Sequence, residues 1–238
     1  MPARMRPTVL IVVLVALLVP QLGGADSGAD LYLQSCVTCH GRGGSGVPPG
    51  GKHFGPPLQG VGAQAADFYL TTGYMPVQRA DQEPVRKSSP FSDAELRSLV
   101  QFIGSFGGPP VPHPRPERGS VSEGLELFTA NCAGCHQVAA EGGLVVGGTA
   151  PTLADSTPIQ IAEAVRIGPY LMPRFTRKQL DDRQVDSIIR YVQLAQHPDD
   201  RGGWGIGHLG PIPEGLVAWL IAGAALVGVA AVIGGRAP

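Results

Sequence analysis

Charged and aromatic residues are scarce in this 238-residue chain, at 16% and 6% of the total. Eighteen lysines and arginines nearly balance nineteen aspartates and glutamates, and neither half of the chain is basic. This balance argues against a phosphate-binding surface, so nucleic acid is not an expected partner. Glycine (34) and proline (23) are abundant instead. A loop-rich chain with few aromatic side chains fills a hydrophobic core poorly, and a large apolar cofactor would fill the remaining core volume.

The N-terminus has the pattern of an export signal. Arg4 and Arg6 precede an apolar run from Val9 to Val19, and Gly23-Gly24-Ala25 follows it. Eleven apolar residues are fewer than the roughly 20 of a membrane-spanning helix. Residues 1–25 are therefore predicted to be a secretory signal peptide, with an uncleaved short anchor as the alternative. Either interpretation exports the residues that follow.

The C-terminus has a longer apolar segment. Leu216 to Ile233 is eighteen residues without a charge, with Trp219 near its start and Arg236 just past its end. These features predict a transmembrane helix over residues 214–235, preceded by a juxtamembrane segment over 198–213. The arginine predicts a cytoplasmic C-terminus. The chain is thus expected to be a single-pass protein of the cell membrane, with residues 26–197 on the extracytoplasmic side.

Between these ends the sequence repeats itself. The motif Cys36-Val37-Thr38-Cys39-His40 recurs as Cys132-Ala133-Gly134-Cys135-His136, displaced by 96 residues. Matching residues surround both copies: Gly28 and Gly124, Tyr32 and Phe128, the Pro56 and Pro151 loops, and the pairs Met75-Pro76 and Met172-Pro173. An amphipathic helical pattern closes each half, and Ser92, which precedes Asp93 and Glu95, is the predicted N-cap of the first of these helices. The sequence therefore predicts two tandem domains, 26–106 and 120–197, joined by a proline-rich linker at 107–119.

Cysteine chemistry identifies the motif. All four cysteines lie in the two motifs, and a histidine completes each one. Cys-x-x-Cys-His is the pattern of covalent haem c attachment. Two thiols on one helical turn reach the two vinyl groups of a porphyrin, and the histidine is presented to the iron. A shared zinc would need motifs closer together than these, and a disulfide within each motif would leave the histidines unexplained.

A second iron ligand is predicted downstream of each motif. Met1 and Met5 lie in the signal, and the two remaining methionines, Met75 and Met172, follow the motif histidines by 35 and 36 residues. Histidine and methionine together raise an iron potential and suit an electron carrier. The carbonyls of Pro56 and Pro151 are candidate acceptors for the histidine ring N–H. His53 is an alternative to Met75.

The candidate site residues are thus four in each half. Those predicted to bind the cofactors are Cys36, Cys39, His40, Met75, Cys132, Cys135, His136 and Met172. Of these, His40, Met75, His136 and Met172 are the predicted iron ligands. The predicted cofactors are two covalently attached haem c groups. No residue is predicted to be catalytic in its own right.

Several stretches resemble one family. Each half is similar to class I cytochrome c, which implies an all-α fold of two tandem domains followed by one C-terminal transmembrane helix. The whole layout resembles the dihaem cytochrome c subunit of the actinobacterial-type cytochrome bc complex, the menaquinol:cytochrome c reductase. The stretches that carry the resemblance are 55–62, 73–76, 162–172 and 202–215.

This resemblance implies a respiratory role. In that family the complex oxidises menaquinol, and a Rieske iron–sulfur subunit bound to a cytochrome b subunit passes one electron to the first haem. The second haem delivers it to the copper-centre subunit of an aa3-type cytochrome c oxidase. The chain itself is then an electron carrier within an oxidoreductase that acts as a translocase.

Two other functions fit parts of the pattern. One is a dihaem subunit of another dehydrogenase or of a cbb3-type oxidase, although those usually carry their anchors at the N-terminus. The other is a dihaem peroxidase, an enzyme in which one iron loses its distal ligand. The matched methionine spacing disfavours the peroxidase.

Overall fold

The computed structural model describes residues 27–79, 85–198 and 211–235. The predicted signal peptide (1–25) and most of the predicted juxtamembrane segment (199–210) lie outside the described residues. The described chain forms two compact units, one ending at Gln196 and the other beginning at His197. Within the larger unit we call residues 27–106 the first half and residues 120–196 the second half.

The described residues of the first half form four α-helices. They are α1 (Gly28–Ser35), α2 (Val37–His40), α3 (Gly62–Thr71) and α4 (Asp93–Gly104), with a 3₁₀ turn at Arg42–Gly44 after α2. Ser27 caps α1 by accepting a hydrogen bond from the Asp30 amide. Ser92 begins α4 with a reciprocal capping box to Glu95, which confirms the N-cap that the sequence predicted.

The second half has the same helical order. It comprises α5 (Val121–Asn131), α6 (Ala133–His136), α7 (Pro158–Ile167) and α8 (Asp182–Gln196), preceded by a 3₁₀ turn at Pro116–Arg118. Thr157 and Gln160 form a capping box at the start of α7, where Pro158 occupies the first turn. The apolar periodicity that predicted α8 places Val185, Ile188 and Val192 in the core.

One small β-hairpin accompanies the helices that the sequence predicted. Strands β1 (Gly143–Val145) and β2 (Gly148–Ala150) pair antiparallel, with Leu144 opposite Thr149. Gly147 makes the turn at φ +87°, a conformation open to glycine at little cost. The sequence did not predict these strands because three residues are too few for a readable alternation. The fold is mostly helical with this one hairpin among the described residues.

Each half has its own hydrophobic core, built on the crossing of its first and last helices. In the first half, α1 meets α4 and Tyr32 packs against Phe102, with ring centroids 5.4 Å apart. In the second half, α5 meets α8 and Phe128 packs against Tyr191 at 5.2 Å. The aromatic residue four positions before each motif therefore performs the same packing role in both copies.

The repeated glycines explain how these helices approach so closely. A Cβ at Gly28 would overlap the Ser98 carbonyl oxygen and lie 2.8 Å from Phe102 Cβ. A Cβ at Gly124 would overlap the Ser187 carbonyl oxygen and lie 2.8 Å from Tyr191 Cβ. Both crossings thus bring one helix backbone against another where only glycine fits.

The two halves pack against each other through α3 and α7. Gln160 donates a hydrogen bond to Thr71 Oγ1 at 3.2 Å. Arg86 reaches from the first half to donate to Gln160 Oε1 at 2.9 Å, to the Asp155 carbonyl at 3.0 Å and to Ser156 Oγ at 3.2 Å. Side chains of opposite halves are therefore joined by a network of hydrogen bonds.

Among its described residues, the smaller unit contains one long helix, α9 (Pro211–Gly234). Its Gly215–Gly234 segment has a mean hydropathy of 2.6 and is not buried within the protein. Trp219 and Leu226 are 78% and 69% exposed. An apolar helix of this length with uncovered side chains matches a single membrane span, as the sequence predicted.

Candidate cofactor-binding sites

The helix before each Cys-x-x-Cys-His motif ends at the first cysteine, and the motif then forms a separate single turn of helix. Cys36 ends α1 at φ −122°, and the His40 amide then donates to the Cys36 carbonyl at 2.9 Å. Cys132 repeats this geometry at φ −122°, with the His136 amide donating at 2.9 Å. One turn therefore carries two thiols and an imidazole in each half.

Both motif histidines are held by a backbone carbonyl. His40 Nδ1 lies 2.8 Å from the Pro56 oxygen, and His136 Nδ1 lies 3.0 Å from the Pro151 oxygen. These are the contacts that the sequence predicted. A carbonyl accepts only, so Nδ1 carries the proton and Nε2 keeps a free lone pair for a metal.

Glycine lets the first of these loops come close enough. A Cβ at Gly55 would lie 2.8 Å from the Cys39 carbonyl oxygen and 3.2 Å from His40 Cε1. The Gly55 amide and carbonyl pair with Val47, which anchors the loop before Pro56. The hydrogen bond to His40 thus depends on a residue without a side chain.

Burial favours the neutral forms of the first thiol in each motif and of the His136 imidazole. All four cysteines are free. Burial chiefly, and the neighbouring thiol, raise the pKa of Cys36 and of Cys132 to about 11. Burial lowers the pKa of His136, although its hydrogen bond to Pro151 opposes this.

A zinc site finds no support elsewhere in the described structure. Across residues 27–79, 85–198 and 211–235, no three His, Cys, Asp or Glu side chains gather in a group that would hold a metal ion. The candidate metal-ligand residues that remain are the cysteines and the histidine of each motif.

The predicted methionine ligands lie against the same cores as the motifs. Met75 and Cys36 both pack on the hydrophobic cluster of the first half, and Met172 and Cys132 on that of the second. The Met75 amide donates to the Tyr69 carbonyl at 2.9 Å, and the Met172 amide to the Pro169 carbonyl at 2.9 Å. His53, the alternative to Met75, is exposed.

The residues present in each half fit a haem c. Two free thiols stand one helical turn apart, an oriented histidine follows, and a thioether shares their core. When bound, haem c supplies a one-electron redox centre. The chain's contribution is attachment, orientation of the imidazole and exclusion of water.

The structure also places polar and aromatic residues that the sequence analysis did not single out. Glu163 on α7 is fully buried, and neither of its carboxylate oxygens has a hydrogen-bond partner. Tyr170 contacts the rings of Tyr69 and Tyr74 in the other half. The burial of Glu163 could have been predicted from its position on α7, because the neighbouring apolar residues Ala162 and Val165 are also buried. Nothing in the sequence showed which half would cover these residues.

Comparison with known proteins decides the family. A family model for subunit III of cbb3-type cytochrome c oxidase matches residues 23–103 and again 119–192. The cytochrome bc1 complex cytochrome c subunit of Mycobacterium tuberculosis is 36% identical over 91% of this chain and 82% of its own. The chain belongs to this family of cytochrome c subunits. Its function is therefore electron transfer in a quinol:cytochrome c reductase.

Further relatives support this assignment. The corresponding subunit of Corynebacterium diphtheriae is 33% identical over 89% of this chain and 80% of its own. A cbb3-type cytochrome c oxidase subunit of Azospirillum is 27% identical over 72% of this chain and 62% of its own. Membership of the cytochrome c family implies covalently bound haem c, and the apolar helix α9 agrees with membrane association.

Proposed function

We propose that this cytochrome c subunit carries two haem c groups, one in each of two tandem domains. Residues 26–106 form the first domain, residues 120–197 the second and residues 107–119 the linker. Cys36, Cys39, His40 and Met75 hold the first haem, and Cys132, Cys135, His136 and Met172 hold the second. The single observation that carries this proposal is the repeated histidine geometry, in which each motif imidazole is held through Nδ1 by the carbonyl of a proline.

Both irons are proposed to have closed coordination. A histidine and a methionine fill the two axial positions and leave none for peroxide, so each half serves as a carrier. The carbonyls of Pro56 and Pro151 keep the imidazoles in one tautomer and one orientation. This arrangement favours electron transfer over the peroxidase alternative.

The proposed electron-transfer route enters this chain from one protein partner and leaves it to another. Electrons derived from menaquinol enter from a Rieske iron–sulfur subunit, which is associated with a cytochrome b subunit in the same translocase. They leave towards the copper-centre subunit of an aa3-type cytochrome c oxidase. Resemblance to the family supports these partners. A tethered carrier has a high effective concentration at its neighbours, which agrees with the anchor α9.

The haem domains are proposed to lie on the extracytoplasmic side. The predicted export signal at the N-terminus and the arginine beyond α9 both support this orientation. The chain would then cross the cell membrane once, with a short tail inside.

Replacing both cysteines of one motif is expected to remove one haem and leave the other. The double variant C36S/C39S should keep one covalent haem, as should C132S/C135S, because serine cannot form the thioether. Intact-protein mass and haem absorbance per chain measure the count. Two haems on either variant, or one on the wild type, would contradict the proposal.

Replacing one methionine is expected to change one haem only. Met75→Ala and Met172→Ala should each lower the midpoint potential of a single haem and halve the methionine–iron absorption band, since the thioether raises the potential. His53→Ala serves as the matched control for the first site. Spectroelectrochemistry of the full chain measures both quantities. Loss of the band in His53→Ala would show that the ligand is misassigned.

A cbb3-type oxidase subunit remains the second candidate because a family model with that description matches both halves. Affinity purification of the tagged chain from mild detergent separates the two. A cytochrome b and a Rieske protein in the eluate support the bc complex. Co-elution of a haem–copper oxidase catalytic subunit without them supports the second candidate.

A further inference from the structure

The loops that carry the two predicted methionine ligands meet at the boundary between the halves. Tyr74 immediately precedes Met75, and Tyr170 lies two residues before Met172. The Tyr74 and Tyr170 ring centroids are 5.4 Å apart at an interplanar angle of 62°. Tyr69 faces the same Tyr170 ring at 6.1 Å and 87°. One ring of the second half thus packs edge to face on two rings of the first.

Hydrogen bonds across the halves hold this contact in place. Arg86 binds the Asp155 carbonyl and the side chains of Ser156 and Gln160. Gln160 in turn donates to Thr71 on the end of α3. Met75 itself is tied to Tyr69 by a backbone hydrogen bond of 2.9 Å. The tyrosine contact therefore lies within an interface that resists sliding of one half against the other.

Tyr170 has φ +53°, an uncommon conformation for a residue with a side chain. The ring contacts that the structure shows for Tyr170 are with Tyr69 and Tyr74 of the first half. The residue is 52% exposed, so it is not a core residue of the second half. Its described ring packing is therefore across the boundary between the halves.

We propose that the contact of Tyr170 with Tyr69 and Tyr74 is the electron-transfer junction between the two haems. This inference rests on the proposed function, in which Met75 and Met172 are axial ligands. One peptide bond leads from Met75 to Tyr74, a ring contact crosses to Tyr170, and two peptide bonds lead on to Met172. One electron leaves the reduced iron and arrives at the oxidised one, and no bond forms or breaks.

The junction acts by fixing the distance between the two haems and by filling the space between them with packed atoms. Tunnelling rates fall exponentially with separation, and they fall faster through a gap than through packed atoms. The tyrosines are positioning residues, and no step requires a proton or a tyrosyl radical. Replacing Tyr170 with phenylalanine should therefore leave the rate of inter-haem transfer unchanged, whereas an aliphatic side chain should lower it.

The test compares Tyr170→Leu with Tyr170→Phe in the full chain carrying its haems. Leu144→Ala, a 91% exposed position on β1, is the surface control. Three quantities are measured: the two midpoint potentials, the iron–iron distance from dipolar coupling in electron paramagnetic resonance, and the rate of electron redistribution after photoreduction. Arg86→Ala is the second variant, since it loosens the same interface away from the rings.

Tyr170→Leu is expected to slow inter-haem transfer with both potentials unchanged, while Tyr170→Phe and Leu144→Ala match the wild type. Arg86→Ala should broaden the iron–iron distance distribution and slow transfer as well. A wild-type rate in Tyr170→Leu would overturn the junction, and so would two haems in the wild type that exchange no electron. A wild-type chain with one haem would instead contradict the proposed function.

Discussion

Replacing Gly124 with alanine is expected to push α5 away from α8 and to prevent stable folding of the second half. The added Cβ would overlap the Ser187 carbonyl oxygen, and neither partner is a flexible side-chain end. Overpacking typically costs about 1–3 kcal/mol and occasionally more, a sizeable part of the roughly 5–15 kcal/mol that stabilises a domain. Haem attachment in the second half should fall accordingly.

Thermal unfolding and haem content of the full chain measure this effect. Gly28→Ala should produce the same loss in the first half, since its Cβ would meet Ser98 in the equivalent way. Gly51→Ala is the matched control, because a Cβ there meets no atom within 4 Å. A Gly124→Ala chain that unfolds at the wild-type temperature with full haem content would refute the close helix crossing.

Glu163→Gln is expected to abolish most of the pH dependence of stability between about pH 5 and pH 9. Burial first, and the nearby charge of Asp67 on α3, raise the pKa of Glu163 from an ordinary 4.5 to about 9. The folded protein therefore holds a proton that the unfolded chain releases. Stability is fully present below the unfolded pKa and is lost as pH rises through the folded pKa.

The size of this effect should be large for a single residue. The wild type is expected to lose on the order of several kcal/mol across this range, whereas glutamine stays neutral and keeps its stability. Denaturant unfolding of the full chain at a series of pH values measures the difference. Glu126→Gln, which replaces an exposed carboxylate on α5, is the control. Parallel pH profiles for wild type and Glu163→Gln would show that Glu163 is ionised in the folded protein.

Short motifs with strict stereochemical requirements could be predicted from the sequence. The helical turn of Cys36 to His40, the bond from His40 to Pro56 and the cap at Ser92 each depend on residues close together in the chain. Local geometry and hydrogen-bonding capacity determine such features, so the structure matches them. The repeat helped as well, because every feature could be checked against its counterpart about 96 residues away.

The hairpin of β1 and β2 was missed for the opposite reason. Its strands have three residues each, too few for an alternating pattern to stand out from a glycine-rich loop. In the first half, the corresponding loop keeps only a single bridge between Val47 and Gly55. The repeat therefore could not reveal the hairpin by comparison.

The sequence by itself determined the attachment chemistry proposed for each half, because Cys-x-x-Cys-His needs only residues within one helical turn and a carbonyl nearby. It also determined the apolar helix α9, whose character depends on composition alone. Only the tertiary structure decided which faces of the two halves meet. That contact joins residues about 70 to 100 positions apart, such as Arg86 with Gln160 and Tyr74 with Tyr170. Surface complementarity between folded halves selects such pairs, and this property emerges only after each half has folded.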